Sequence, residues 1–266
     1  MRPTIAAARL FGRVVADSNR LGFDAVAEHF GGALPLYPAS VAKPIVFNLL
    51  LAEHGTHLAA GAEVESVELL GIKSISSNCN NSVVRVAPSA SSSDLPSTLF
   101  VKLPSAQLWT RLFCNLLGIW SNECQFYRNV APQVPVRVPK AYVIAVRGSR
   151  FVLVLEDLNA AADLQLFTNT DMIAGASLER ARQCLSTFAW LHASFHGLDS
   201  DDRAAILSPE LHPFCSANAR ALSPVLSRAA IGPCHRKAPD LFPKDMVELY
   251  RRAMSHYDAL IDYWYR

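Results

Sequence analysis

No apolar run in this 266-residue chain reaches the roughly 18 residues needed to span a bilayer, and the longest candidate, Pro44 to Ala52, is far too short. A membrane span is therefore not expected. No Lys/Arg run occurs, and 25 basic side chains nearly cancel 23 acidic ones to leave +2. That balance gives no footprint for nucleic acid or for an anionic membrane surface. The six cysteines (Cys79, Cys114, Cys124, Cys184, Cys215, Cys234) form no CxxC pair, which excludes the usual zinc and dithiol redox sites. They read as reduced, mostly buried thiols of an intracellular protein. HExxH and GxGxxG are missing too. His54 and His57, in EHGTH, are not expected to hold a metal, since Gly55 stands where a helix would end. Charged residues are only 18% and hydrophobic ones 51%, an apolar-rich composition able to build a real core and far from disorder.

Residues 1–62 read as a helical extension. Phe23, Val26, Ala27 and Phe30 share a helical face, Gly31-Gly32 ends that segment, and a second apolar helix runs from Ile45 to Glu53. Arg2, Arg9, Arg13 and Arg20 stand against Asp17 alone, as in an organelle transit peptide or in an ordinary helix with exposed arginines. The expected location is cytoplasmic, with organelle targeting as the alternative. From Glu63 the texture changes to VESVELLGI, then KSISSNCNN, then SVVRV: two strands joined by a small polar segment. Such a hairpin loop can offer N–H groups and small polar side chains to phosphate oxygens, with Asn81 and Ser82 as candidates. APSASSSDLP reads as a surface loop.

The stretch Ser97 to Val130 carries the chemistry. In STLFVKL, alternation puts Leu99, Val101 and Leu103 on one face and Phe100 and Lys102 on the other. Alone, Lys102 would be read as a solubilising edge-strand lysine. After an apolar connection, NECQFYRNV reads as a helix with Asn122 as N-cap and Glu123, Phe126, Tyr127 and Val130 on one face. Glu123 thus lies in the first turn on the inward stripe, where an unpaired carboxylate is costly. It either stabilises its own helix N-terminus or meets a cation, and Lys102, 123 − 102 = 21 positions earlier, is the natural candidate. A strand lysine set against a helix glutamate is the pairing with which kinase-like phosphotransferases hold nucleotide phosphates.

APQVPVRVPK is proline-rich and extended, and AYVIAV and RFVLVLEDL read as strands joined by a turn at Arg147-Gly148-Ser149. The second ends at Glu156-Asp157 and passes into a polar segment, as a connector between two lobes would. The helix Ser177 to His196 carries Ala181, Leu185, Phe188, His192 and Phe195 on one stripe, so His192 reads as a hydrogen-bonded core histidine. A proline-bearing loop region follows to about Pro243. One long helix, Lys244 to Tyr265, comes last, with Val247, Tyr250, Met254, Tyr257, Ile261 and Trp264 as its apolar side.

Taken in order, FVKLP, ECQFYRNVAPQVPVRVPKAY, FVLVLEDL and LSTFAWLHASFHG resemble the aminoglycoside phosphotransferase and choline kinase-like superfamily, closest to its ecdysteroid kinase-like members, over roughly Glu63 to Gly197. The resemblance implies an α+β, protein-kinase-like fold: an N-lobe of antiparallel sheet plus helix over 63–157, then an incomplete helical C-lobe over 158–266. It implies ATP-dependent phosphorylation of a hydroxyl on a small molecule. Lys102 would hold the α/β-phosphates, Glu123 would orient Lys102, and Glu156, Asp157 and Leu158 would border the adenine, mainly through their main chain. Mg²⁺ is expected for the complete enzyme. The family's catalytic HGD loop and its metal-binding asparagine and aspartate have no counterpart. His196-Gly197-Leu198-Asp199 imitates HGD but carries an extra residue before Asp199, with no suitably spaced asparagine after it. No catalytic or metal-ligating residue is therefore assigned. The chain is expected to be a nucleotide-binding portion, cut short and inactive alone. A non-catalytic pseudokinase-like binding module is the alternative, and an unrelated α+β scaffold in which Lys102 and Glu123 never meet is a third reading.

Overall fold

A computed structural model describes residues 3–56, 59–72, 78–89, 94–167, 171, 173–206 and 214–264. Helix α1 (Pro3–His29) stops before Gly31, whose φ of +74° suits a residue without a Cβ. Helices α2 (Pro38–Val41) and α3 (Pro44–His54) each start on a proline, pre-set for a first helical turn. Strands β1 (Val64–Ile72), β2 (Cys79–Pro88) and β3 (Thr98–Pro104) follow. The expected apolar connection after β3 is itself helical, α4 (Leu108–Leu116). It leads to α5 (Ile119–Gln125), a π-helical turn (Phe126–Val130) and a 3₁₀ turn (Ala131–Gln133). The hairpin β4 (Ala141–Arg147) and β5 (Arg150–Glu156) comes next, then a 3₁₀ turn at Leu158–Ala160. The remaining helices are α6 (Leu178–Ser194), α7 (Ser200–Ile206), α8 (Ala217–Lys237), α9 (Lys244–Ser255) and α10 (Tyr257–Trp264).

The chain is α+β, built on a five-stranded antiparallel sheet in the order β1-β2-β3-β5-β4. On one face Leu99, Val101 and Leu103 of β3 join Val152 and Val154 of β5 and pack with Phe47, Leu50 and Leu51 of α3. On the other, Phe151, Leu153 and Leu155 of β5 meet Cys114 of α4 and Trp120 and Cys124 of α5. A strand covered on both faces needs an apolar side chain at every position, which is why RFVLVLE shows no alternation. Among the described residues no helix is long and apolar enough to cross a membrane.

Two expectations about helix faces fail, and the C-terminal elements divide differently from their expected bounds. On α1, Phe23 and Val26 are exposed, as is Phe30 just past its end, while Leu21 and Asp24 are buried. Polar contacts set this register: the Asp24 carboxylate accepts from the Ser149 N–H at 2.8 Å and from the Ser149 hydroxyl, and Glu28 pairs with Arg150 at 2.8 Å. A buried carboxylate must be hydrogen-bonded, so Asp24 decides which side of α1 meets the β4–β5 turn. On α6 no residue is buried, and Leu185, Phe188 and His192 all face solvent. His192 is no core histidine; its ring lies 6.4 Å from that of Phe188. At the C-terminal end, the expected loop region contains α8, which runs through Pro224 and Pro233, and the expected long helix breaks at His256. Val247, Tyr257 and Ile261 are buried there, but Trp264 is exposed. The cysteines form no disulfide, and only Cys79, Cys114 and Cys124 are buried.

Candidate functional site

Lys102 sits on β3, opposite Asn81 of β2 on one side and Leu153 of β5 on the other. β3 is an internal strand, so Lys102 is not an edge lysine. Alternation places it on the face of Phe100 and Leu153, under α5. Helix α5 begins at Ile119, after Gly118 in a left-handed conformation (φ +65°), not at Asn122. Glu123 therefore lies near the far end of α5, away from the positive end of the helix dipole, and stabilising its own N-terminus is not its part. Buried Trp120 and Cys124 anchor α5 to the sheet, with the Trp120 ring 5.2 Å from that of Phe151. Between those anchors Glu123 projects at the rim, and the Lys102 ammonium donates to its Oε1. The two side chains are 20% and 28% exposed, so the pair stands at the border of core and solvent. The lysine keeps two further N–H donors.

The other candidates scatter. Asn81 shares the Lys102 face, is 6% exposed, and its Oδ1 has no partner among the described residues. Cys79 to Asn81 belong to strand β2 and not to the expected loop; residues 73–77 of that loop lie outside the described ones. Ser82 follows Asn81 in a strand and so points to the opposite face, buried opposite Val101. It cannot join Lys102 in holding one group. Glu156 pairs with Arg137 at 2.7 Å and accepts from the Lys140 N–H at 3.2 Å, while its own N–H donates to the Lys140 carbonyl at 2.8 Å. Buried Asp157 accepts from the Asn159 N–H and amide at 3.1 and 3.0 Å, and Leu158 O accepts from the Ala161 N–H at 3.3 Å. Several main-chain groups of this connector are thus engaged in its own turn. Asp199 caps α7, accepting from the N–H groups of Asp201 and Asp202 at 2.9 and 2.8 Å.

Burial pushes the Cys114 thiol up to about 11 and the Cys124 thiol to about 12. Both stay protonated near neutrality and are poor nucleophiles. The Tyr127 phenol is pushed to about 12, by burial first and the Glu123 charge second. No group of three or more His, Cys, Asp or Glu placed to hold a metal occurs among the described residues; His57 lies outside them. On the Lys102 face the lysine is the cation, and the orphaned Asn81 Oδ1 beside it is a hydrogen-bond acceptor. No described residue is assigned to Mg²⁺. Gly118 was not singled out from the sequence, although a glycine directly after LWTRLFCNLL is a helix-stop signal. No family model, characterised protein or solved structure matches the chain.

Proposed function

We propose that the chain is the nucleotide-binding portion of a protein-kinase-like phosphotransferase acting on a hydroxyl of a small molecule. Lys102 holds the phosphates of ATP and Glu123 orients Lys102. The Lys102–Glu123 ion pair carries this reading. A part-exposed pair contributes only about 0–1 kcal/mol to stability, so stability alone is a weak reason to hold a lysine on an internal strand against a helix glutamate. The strand order, with α4 and α5 inserted between β3 and β4, is compatible with a kinase-like N-lobe. Bound Mg²⁺ would neutralise charge developing on the transferred phosphoryl group; with no residue here assigned to it, the chain alone is not expected to turn over ATP. The proposal places the chain in the cytoplasm, where thiols that form no disulfide are the rule. The second reading, a non-catalytic binding module, draws on the exposed Leu178, Leu185, Phe188 and Trp190 of α6.

The test is thermal stabilisation by ATP, with and without Mg²⁺, of wild type, Lys102→Ala and Glu123→Gln. Wild type is expected to gain stability, Glu123→Gln less, and Lys102→Ala none. Equal stabilisation of Lys102→Ala, or no response of wild type at millimolar ATP, would sink the proposal.

A further inference from the structure

A separate open cleft of about 630 Å³ is lined by Gly55, Thr56 and Ala60, by the π-helical turn and by residues 138–141 leading into β4. Its wall is largely apolar, with Pro132, Ile144 and Ala60 among the residues that form it. Two cationic residues, Arg128 and Lys140, line it together with Tyr127, and among the described residues neither an aspartate nor a glutamate does. Thr56, also on the wall, already spends its hydroxyl on the Ala141 carbonyl at 2.8 Å. The Arg128 guanidinium is aimed by one bond, from Nη2 to the Ile144 carbonyl at 2.7 Å, which leaves further N–H donors of its planar fork. Neither Arg128 nor Lys140 has a carboxylate partner among the described residues. Glu156, which takes the Lys140 main-chain N–H, is itself held by Arg137.

Two cationic residues on one largely apolar wall give it a positive potential, which favours an anion. The volume is that of small-molecule sites, which pair an apolar lining with a few placed polar groups. From this charge pattern we infer that the cleft binds an amphipathic anion: a carboxylate or phosphate head on Arg128 and Lys140, and an apolar body against Pro132 and Ile144. Guanidinium and carboxylate or phosphate match in a two-point contact, so Arg128 orients the head and Lys140 adds charge. The inference does not depend on nucleotide binding at Lys102.

Calorimetric titration of the full chain with octanoate, octyl phosphate and 1-octanol tests it, using Lys140→Glu and Ala60→Trp beside wild type. Ala60 and Lys140 are both exposed, so circular dichroism should show both variants folded. At least one of the two anions is expected to bind at least about tenfold more tightly than octanol, a difference of about 1.4 kcal/mol. Lys140→Glu should weaken it about tenfold, and the indole of Ala60→Trp should fill the cleft and abolish it. Octanol binding as tightly as both anions, no binding of either anion, or unchanged anion binding in folded Lys140→Glu would each overturn the proposal. If Ala60→Trp does not fold, Lys140→Glu decides alone.

Discussion

Replacing Asp24 with alanine removes, in one step, the acceptor for two hydrogen bonds from Ser149. Asp24 is 5% exposed and Ser149 2%, so water does not readily replace the lost carboxylate. Hydrogen bonds to a charged group contribute about 1.5–3 kcal/mol, and a stranded buried donor costs about 1–3 kcal/mol. These figures describe the same loss from two sides and are not summed. The expected destabilisation is about 3 kcal/mol, which lowers the melting temperature by roughly 6–12 °C at about 2–4 °C per kcal/mol for chains of this size class. Asp24→Asn keeps an acceptor for the Ser149 N–H and offers an amide to its hydroxyl, so its loss should be less than half as large. Gly148 supplies the cross-check. Its φ is +61°, and a Cβ there would sit 2.3 Å from Asp24 Oδ1. Part of the cost of Gly148→Ala is strain intrinsic to that φ; the rest is the clash, and it should vanish when Asp24 is already alanine. Urea titrations of both single variants and the double variant measure that coupling. If Asp24→Ala lies within about 0.5 kcal/mol of wild type, as ordinary surface changes do, or if Asn is no better than Ala, the assignment of α1's register to this carboxylate is wrong.

Lys102→Ala should change urea stability by less than about 1 kcal/mol, so its effect on nucleotide stabilisation can be read without a folding defect. Stability should fall in alkaline solution. The Cys114 and Cys124 thiols are raised from 9.0 to about 11 and about 12 when folded, so their contribution is complete below 9.0 and is lost as pH rises toward those folded values. Cys124→Ala should flatten that loss in urea titrations on the alkaline side. In timed alkylation of the native protein near neutrality, exposed Cys184 should react well before buried Cys114 and Cys124, a sequence that mass spectrometry of peptides can follow.

The parts legible in the sequence are those where one periodicity rules. The alternation of STLFVKL put Lys102 on the face opposite Leu99, Val101 and Leu103, and those three are fully buried on the other side. The nearly unbroken apolar run RFVLVLE marked a buried strand, and β5 is covered on both faces. The failures occur where a polar contact outweighs an apolar stripe. Phe23 and Val26 do share a face of α1, but one buried aspartate and one ion pair turn that face outward. Hydrophobic periodicity gives no weight to Asp24, because its partner, Ser149, is distant in sequence. Ser82 failed for a simpler reason. It opens the expected strand SVVRV, and because β2 already runs from Cys79, Ser82 alternates with Asn81 and points to the opposite face.

The meeting of Lys102 with Glu123 follows from two periods brought into phase by one glycine. Along β3, Phe100 and Lys102 share a face because they are two residues apart. Along α5, Trp120, Glu123 and Cys124 share a side because they are three and four apart. Trp120 and Cys124 are the apolar ones, so they sink against Phe151 and Leu153 and hold the helix down. Glu123 then has no course but the rim of that contact, where the next residue on the Phe100 face of β3 is Lys102. What sets α5 at the right rotation is the left-handed turn at Gly118, which ends α4 and restarts the helix before Trp120. A continuous helix from Leu108 would carry Glu123 round to a different azimuth. The glutamate's position is thus fixed by the residues that bury, while the residue available for chemistry is the one that does not.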